Sequence, residues 1–451
     1  MRGRRTRTTT MTTETSAAGI RSVAVIGGGT MGSGIAAACA AAGCDVLLLE
    51  ATDAFAEKAK ARVEALAAND TEATLFREKV AVGTMAKDVS RLAAVDWICE
   101  AVIETLDAKR AVLAAIEPVR RDGSIVSTNT SGIPLSAIVD GQPERLKRDM
   151  LVTHFFNPVR VMRLLEIVTG PDTRTDARDS LAGFLHDALG KGIVTAKDTP
   201  NFIGNRIGLY FILSALHHGA AHRAAGTSID RIDALLGAPV GFPGTALYGL
   251  VDLIGLDVID SIAKNLAETL PAGDAGRAYA SLPAAEAAML ARGQLGRKSG
   301  GGFYRMQKAT DGSKRKEVFD PEAGSWGPST KIKLEGDSTA LETVFFADTP
   351  DGALVRDVLG GTLLYAAGLV PDISDDIVNV DRAMRWGFAW AKGPFELLDR
   401  IGPKRVIAWL ARDGRPLPRM LAVLQDAGAE RFYDGDRYLG ADGHLHAVPP
   451  E

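Results

Sequence analysis

Short apolar runs alternate with longer helical segments between residues 22 and 198. The runs are rich in Val, Ile and Leu, which is typical of strands that are buried on both faces of a sheet. Strands that alternate with helices predict an α/β domain with a doubly wound, mostly parallel sheet. The predicted strands span residues 22–27, 46–49, 97–102, 125–128, 151–155 and 164–168.

The hydrophobic pattern becomes helical near residue 199. Two helical regions follow, with a polar stretch rich in Gly and Lys between them. Each region contains an aspartate three residues before a glycine, Asp252 and Asp399, which suggests a duplicated helical unit. We therefore predict two all-α C-terminal domains after the α/β domain. The predicted boundaries are 1–19 for a disordered lead, 20–198 for the α/β domain, 199–306 for the first helical domain, 307–345 for a linker and 346–440 for the second helical domain.

Composition and charge exclude several classes of protein. The 451 residues include 52 Lys or Arg and 56 Asp or Glu, so the net charge of −4 gives no global positive field for nucleic acid or anionic lipid. No apolar run reaches the ~18 residues that a membrane-spanning helix needs. The three cysteines lie in apolar or Ala-rich segments, which predicts reduced core thiols and a cytoplasmic location. The Arg- and Thr-rich lead is interpreted as the product of an upstream start codon, with Met11 as the true first residue. The alternative is a transit peptide.

A glycine-rich turn joins the first predicted strand to the first predicted helix. Gly27, Gly29 and Gly32 have the G-x-G-x-x-G spacing, with Thr30 and Met31 between the last two glycines. These glycines let the backbone approach a pyrophosphate, and the helix N-terminus offers free N–H groups to it. The sequence therefore predicts a Rossmann-type dinucleotide site.

An acidic residue follows this turn at the end of the second predicted strand. Glu50 lies 18 residues after Gly32. A carboxylate here accepts hydrogen bonds from a ribose 2′-hydroxyl and repels a 2′-phosphate, which favours NAD over NADP. The alternative is that Glu50 is a surface acid that follows a strand.

A histidine and a glutamate stand inside two neighbouring apolar strands. His154 lies in THFFNP, and Glu166 follows twelve residues later in LLEIV. A carboxylate inside an apolar strand is costly unless it is paired. Adjacent strands would bring Glu166 to His154 and create a base that an acid orients and whose protonated form it stabilises. The alternatives are a core histidine and a structural ion pair.

Two polar segments are candidates for the same cleft. Asn129 and Ser131 follow an apolar strand, where open α/β sheets bind their ligands. Asn205 opens the first helical region and is suited to bind a carbonyl or hydroxyl group, the alternative being a helix-surface amide. The histidines of residues 217–222 have no acid or Cys beside them, so we predict no metal site.

Six motifs resemble the NAD-dependent (S)-3-hydroxyacyl-CoA dehydrogenases of fatty-acid β-oxidation. They are VAVIGGGTMGSGIA, ICEAVIETLDAK, STNTSG, THFFNPVRVMRLLEIV, KDTPNFIGNRI and GRKSGGGFY, in the family's order between residues 22 and 304. The segment DDIVNVDRAMRWGFAWAKGPFELLDRIG resembles the duplicated C-terminal unit of the longer, multifunctional members. The length leaves no room for the hydratase module of those members, so we expect a separate chain to supply the enoyl-CoA hydratase step.

The resemblance implies a role for each matched residue. His154 is implied to be the general base that takes the proton of the 3-hydroxyl group, with Glu166 orienting it and stabilising the imidazolium. Ser131 and Asn205 are implied to hydrogen-bond the acyl-CoA substrate near its hydroxyl and its thioester carbonyl. The implied cofactor residues, besides the glycine turn and Glu50, are Glu104, Lys109, Asn129, Asn157 and Lys298.

The implied reaction is transfer of a hydride from C3 of the substrate to NAD, which needs no metal because the nicotinamide supplies the chemistry. Two alternatives remain open. One is a dehydrogenase of a free hydroxy acid or sugar acid, and the other is a non-catalytic NAD-binding structural protein. We expect a monomer or a homodimer, because the second helical unit could stand in for the domain of a partner.

The sequence departs from the family pattern at two positions close to the predicted site. Gly132 stands where the family's N-T-S-S motif has its second serine. Asn201 stands where the family's P-G-F-I-V-N motif has a glycine. Because the catalytic residue types are retained, we expect an altered positioning of the substrate and a retained activity.

Overall fold

One eight-stranded sheet forms the N-terminal part of the chain. The computed structural model describes residues 19–308 and 312–451, so the predicted lead at residues 1–18 lies outside the described residues. The strand order is β3-β2-β1-β4-β5-β6-β7-β8, and every neighbouring pair is parallel except β6 and β7. The predicted Rossmann-type, mostly parallel sheet is thereby confirmed. The strands are β1 (Ser22–Ile26), β2 (Asp45–Glu50), β3 (Val80–Thr84), β4 (Trp97–Glu100), β5 (Ile125–Thr128), β6 (Met150–Phe155), β7 (Leu164–Thr169) and β8 (Gly192–Ala196).

The two edge strands, β3 and β8, were not predicted. Their sequences, VAVGT and GIVTA, contain Gly, Ala and Thr, and both strands are partly exposed. An edge strand has one neighbour and a less buried surface, so it lacks the continuous apolar run of a central strand.

Helices cover both faces of this sheet. The first helix, α1, is buried along most of its length, and it packs on β1 and β2 directly after the glycine turn. The helices of this part are α1 (Thr30–Ala41), α2 (Asp53–Ala65), α3 (Asp70–Lys79), α4 (Met85–Asp88), α5 (Leu106–Ile116), α6 (Leu135–Val139), α7 (Glu144–Asp149) and α8 (Thr175–Asp187), with a 3₁₀ helix at Val89–Ala94.

The first helical unit begins with the longest helix of this region, α9, which is buried on most of its faces. The helices are α9 (Gly204–Ala224), α10 (Ile229–Leu235), α11 (Tyr248–Ile254), α12 (Leu256–Thr269) and α13 (Ala284–Ala291), with 3₁₀ helices at Ala238–Val240, Ala275–Tyr279 and Arg297–Ser299. A three-stranded antiparallel sheet closes the unit, formed by β9 (Tyr304–Lys308), β10 (Lys314–Asp320) and β11 (Ser325–Pro328). The stretch interpreted as a linker from residue 307 thus contains regular structure, which its polar composition did not reveal because these strands are largely exposed.

The second helical unit repeats this arrangement. Its helices are α14 (Leu341–Val344), α15 (Pro350–Val355), α16 (Gly361–Leu369), α17 (Ile377–Gly387), α18 (Pro394–Ile401), α19 (Pro403–Arg412) and α20 (Arg419–Asp426), with a 3₁₀ helix at Gly336–Thr339 and a π-helix at Arg356–Gly360. Another small antiparallel sheet follows, formed by β12 (Tyr433–Asp434), β13 (Arg437–Leu439) and β14 (Leu445–Ala447). Among the described helices, none is long and apolar enough to cross a membrane.

Both helical units contain the same hydrogen-bond arrangement, in which an aspartate accepts from two successive backbone N–H groups. In the first, the Asp252 carboxylate accepts from the backbone N–H groups of Phe303 and Tyr304, each at 2.7 Å. In the second, Asp399 accepts from the N–H groups of Phe432 and Tyr433 at 2.7 and 2.9 Å. The tyrosine hydroxyl of each unit then donates to a second aspartate, which is the half-buried Asp233 in the first unit and the buried Asp381 in the second. The equivalent contacts support the duplication that the sequence suggested.

The second unit packs against the first and against the sheet. Arg206 of α9 donates to the Tyr365 hydroxyl at 2.6 Å and pairs with Asp274, and all three groups are buried. Helix α17 contacts α9, β7 and β8. A Cβ built on Gly208 of α9 would lie 2.0 Å from the Phe388 ring, so this glycine permits the close approach.

Candidate active site

The glycine turn leaves a bare backbone at the start of α1. Gly27 has a φ of 100°, and a Cβ built there would lie 2.6 Å from the Ala101 carbonyl oxygen. A Cβ on Gly32 would lie 1.7 Å from the Gly27 carbonyl oxygen, whereas a Cβ on Gly29 would meet nothing within 4 Å. The first and third glycines are therefore required by packing, and the second faces open space. The exposed Thr30 follows at the N-terminus of α1, an arrangement that suits a pyrophosphate.

Glu50 lies beside the turn, at the end of β2. Its Oε1 accepts a hydrogen bond from the Gly28 N–H at 2.7 Å, and its Oε2 accepts from the Ala51 N–H at 3.2 Å. The Glu50 carboxylate is half-buried, so a ribose hydroxyl would have to bind its exposed part. Arg62 of α2, which the sequence analysis did not select, donates to the Gly28 carbonyl and places a cation next to the phosphate-binding turn.

His154 and Glu166 face each other across the antiparallel pair β6 and β7. They are directly paired in the register, and His154 Nδ1 lies 2.7 Å from Glu166 Oε2. Both side chains are buried, with 3% and 0% of their surface exposed. The contact that the strand pattern predicted is present, while the catalytic role of the pair stays a prediction.

Glu166 is held on its other side by the N-terminus of α9. Its Oε1 accepts from the N–H groups of Ile203 at 3.1 Å and Gly204 at 2.8 Å. Since one Glu166 oxygen is held by two backbone N–H groups and the other contacts Nδ1, the carboxylate fixes the orientation of the imidazole. His154 Nε2 is then the ring nitrogen left to contact a substrate. The rings of Phe156 and Phe202 pack on the imidazole, with centroids at 4.5 and 5.7 Å.

The polar segment after β5 lies against the same region. The Asn205 amide is 3.5 Å from the Ser131 carbonyl oxygen, which brings the two predicted substrate contacts together. Asn129 is buried, and its Oδ1 accepts from the Phe155 N–H at 2.9 Å. Asn129 thus ties the β5 end to the strand that carries His154.

A charge network with a buried core of Lys109 and Glu100 supports the loop between β4 and α5, and the more exposed Glu104 extends it. Lys109 Nζ lies 3.1 Å from both oxygens of Glu100 and 3.1 Å from Glu104 Oε2. Glu104 also accepts from the Thr130 hydroxyl and from the Ser131 N–H. Burial opposes ionisation of Glu104, but the Lys109 charge and these hydrogen bonds outweigh it and lower the pKa of Glu104 below its ordinary value. The network joins two predicted cofactor residues to the predicted substrate loop.

Glu100 was missed by the sequence analysis although it is fully buried at the centre of this network. It accepts from the Val102 N–H at 2.7 Å and from the Thr128 hydroxyl at 2.5 Å. The signal was available, because a glutamate that ends the apolar strand WICE needs a partner.

Two predicted cofactor residues lie outside this cluster of contacts. Lys298 pairs with Asp257 at 2.5 Å on the first helical unit. Asn157 is exposed, directly after β6. Their roles toward the cofactor stay predictions. Residues 19–308 and 312–451 contain no group of three or more His, Cys, Asp or Glu side chains placed to hold a metal ion.

The backbone is compatible with one departure from the family pattern. Asn201 and Phe202 have φ values of 63° and 51°, in the left-handed region that favours glycine. Asn is the residue that tolerates this region best after glycine, so Asn201 keeps the conformation that a glycine would adopt there.

The fold and the glycine turn together define a Rossmann-type NAD-binding protein. The family model described as "3-hydroxyacyl-CoA dehydrogenase, NAD binding domain" matches residues 22–199, and "3-hydroxyacyl-CoA dehydrogenase, C-terminal domain" matches residues 202–306. The chain belongs to the 3-hydroxyacyl-CoA dehydrogenase family, as the motifs indicated, and the prediction of NAD as cofactor is confirmed.

Individual relatives agree with this assignment. A Bacillus subtilis protein named "Probable 3-hydroxyacyl-CoA dehydrogenase" is 35% identical over 444 residues, which cover 92% of this chain and 55% of that protein. The chain thus spans about half the length of this relative. A Deinococcus radiodurans protein of the same name is 37% identical over 64% of this chain and 84% of its own length. The solved 3-hydroxybutyryl-CoA dehydrogenase of Escherichia coli shares the fold, with a TM-score of 0.68 and 24% identity over 91% of this chain and 99% of that chain.

Proposed function

We propose that the protein oxidises (S)-3-hydroxyacyl-CoA to 3-ketoacyl-CoA with NAD as the acceptor, as a step of fatty-acid β-oxidation. The observation that carries the proposal is the buried His154–Glu166 pair beside Ser131 and Asn205. A neutral imidazole that is oriented by a carboxylate is suited to take a hydroxyl proton near neutral pH. The names of the relatives supply the substrate class.

Each residue of the cleft has a separate task in this reaction. His154 Nε2 takes the proton from the 3-hydroxyl group, while Glu166 stabilises the imidazolium that forms. Ser131 and Asn205 donate hydrogen bonds to the substrate and orient C3. The aromatic rings on the imidazole exclude water from it. Bound NAD supplies the acceptor for the hydride that leaves C3.

The cofactor side of the cleft fits this chemistry. The bare turn at Gly29 and the α1 N-terminus would hold the pyrophosphate, and Glu50 would bind the ribose of the adenosine half. The network of Glu100, Glu104 and Lys109 would hold the loop after β4 in one arrangement, and through Glu104 it contacts the Ser131 N–H.

The test is NAD⁺ reduction by the purified protein with a ladder of 3-hydroxyacyl-CoA chain lengths, beside free 3-hydroxybutyrate and a sugar acid. Turnover of the thioesters, with NAD⁺ preferred over NADP⁺, supports the proposal. Turnover of the free acids alone would replace it with a dehydrogenase of free hydroxy acids. Tight NADH binding without turnover on any of these compounds would indicate a non-catalytic NAD-binding protein.

A further inference from the structure

The side chain of Asn201 is buried beside the predicted substrate loop with half of its amide unused. Asn201 is 4% exposed, and its Nδ2 has no hydrogen-bond partner among the residues that the structure describes. An unpaired buried amide destabilises the folded state, so such a group in a folded protein requires an explanation.

The position of Asn201 is fixed by the same segment that holds the catalytic pair. The next residue, Phe202, packs its ring on His154 with centroids at 5.7 Å. The two residues after that, Ile203 and Gly204, donate their N–H groups to Glu166. A displacement of Asn201 would therefore require a displacement of the groups that orient the base.

Gly132 provides the space that the Asn201 amide occupies. A Cβ built on Gly132 would lie 3.0 Å from Asn201 Oδ1 and 3.3 Å from Asn265 Oδ1. Both distances are tighter than an ordinary van der Waals contact, so a side chain at position 132 would have to displace an amide. Directly before Gly132 stands Ser131, whose carbonyl oxygen contacts Asn205. The amide of Asn201 is thus one residue away from the predicted substrate contact.

The backbone at this position does not by itself explain the asparagine. With a φ of 63° at Asn201, glycine would satisfy the conformation with less strain and would leave no donor buried without a partner. The chain therefore carries a buried amide at a cost to stability beside Gly132, where Oδ1 and Cγ of Asn201 would lie 3.0 and 3.5 Å from a Cβ built on that glycine. Costs of this kind occur where a group serves a ligand.

We infer that Asn201 is a substrate-binding residue whose Nδ2 donates a hydrogen bond to the thioester carbonyl oxygen, and that Gly132 makes room for it. The inference rests on the proposed function. His154 receives the proton of the C3 oxygen, so the substrate oxygen that remains as an acceptor for an amide beside Ser131 and Gly132 is the thioester carbonyl. An uncharged amide N–H matches an uncharged carbonyl acceptor. In the family pattern, position 132 is a serine and position 201 is a glycine. In this chain the Asn201 amide would therefore supply the donor that the serine hydroxyl supplies in that pattern.

The test compares four variants with the wild type. Asn201→Gly keeps the backbone conformation and removes the amide, and Asn201→Asp keeps the shape and removes the donor. The double variant Asn201→Gly with Gly132→Ser returns a hydroxyl donor to the space that the amide leaves. The matched control is Ala246→Gly, which makes the same backbone change at another residue with a positive φ of 49°. The measurements are kcat/KM with 3-hydroxyacyl-CoA, the Kd of NADH, and the Kd of acetoacetyl-CoA on the NADH-loaded protein.

We expect kcat/KM to fall about tenfold in Asn201→Gly and in Asn201→Asp, as for the loss of one net hydrogen bond, with the Kd of NADH unchanged. In these two variants the Kd of acetoacetyl-CoA rises by a similar factor. The double variant recovers most of the lost kcat/KM, and Ala246→Gly has the kinetic constants of the wild type. Kinetics of Asn201→Gly within twofold of the wild type would overturn the inference and leave the asparagine a backbone residue. A wild type that neither turns over nor binds an acyl-CoA would instead refute the proposed function, and the inference with it.

Discussion

Substitution of Glu166 by Gln tests how the catalytic base is oriented. In the wild type, Glu166 Oε2 lies 2.7 Å from His154 Nδ1, and Oε1 accepts two backbone N–H groups at 3.1 and 2.8 Å. A glutamine has the same shape, so its oxygen keeps the two N–H groups and its NH₂ turns to Nδ1. His154 Nδ1 then accepts a hydrogen bond, and its proton moves to Nε2, where it blocks proton uptake from the substrate.

The expected loss in kcat is about 10⁴-fold, the size produced by the same tautomer change in the Ser-His-Asp triad. The assay is the initial rate of NADH formation with a saturating 3-hydroxyacyl-CoA, together with the Kd of NADH, which stays at the wild-type value because Glu166 lies away from the cofactor turn. The matched control is Glu286→Gln, which breaks another buried pair, with Arg223 at 2.8 Å. The control loses stability but keeps its turnover. A Glu166→Gln rate within threefold of the wild type would show that Glu166 does not set the tautomer of His154.

Three further substitutions have defined outcomes. Replacing Glu50 by Ser lowers the ratio of NADH affinity to NADPH affinity about tenfold, because the carboxylate that would repel a 2′-phosphate is removed. Titration of the protein with both nucleotides measures this ratio. An unchanged ratio would show that Glu50 has only a structural role. Phe388→Ala removes the ring that packs on Phe156, with centroids at 6.5 Å, so we expect it to lower the unfolding free energy by about 3 kcal/mol and to lower kcat. Urea unfolding measures the first effect and initial rates measure the second. Wild-type values in both assays would show that the second helical unit does not support His154. Burial raises the pKa of Asp252 to about 6 despite its two backbone donors, so the wild-type unfolding free energy falls as the pH rises from about 4 to about 6 and is flat above. Asp252→Asn lacks this component, and identical pH slopes for the two proteins would contradict it.

Much of the cofactor half of the site could be predicted from the sequence because its parts are close together in the chain. The strand, the glycine turn, the helix and Glu50 occupy about 30 residues, and each element has its own local pattern. The pairing of His154 with Glu166 could also be predicted, because twelve residues in two adjacent strands allow few arrangements.

The remaining contacts are set by the tertiary structure. Glu166 is held by Ile203 and Gly204, 37 and 38 residues further along the chain, and no local pattern indicates that contact. The edge strands β3 and β8 lacked a continuous apolar run, and the small sheets of the helical units are too exposed to have one. Glu100 could have been found by asking which buried group neutralises Lys109.

The role of His154 is measured by the rate of NAD⁺ reduction with 3-hydroxyacyl-CoA in the wild type and in His154→Gln. We expect turnover by the wild type, a loss of about 10³-fold or more in the variant, and equal NADH binding by both, because the variant lacks only the proposed base. An unchanged rate in His154→Gln, with the cofactor bound, would contradict the assignment of His154 as the group that takes the proton.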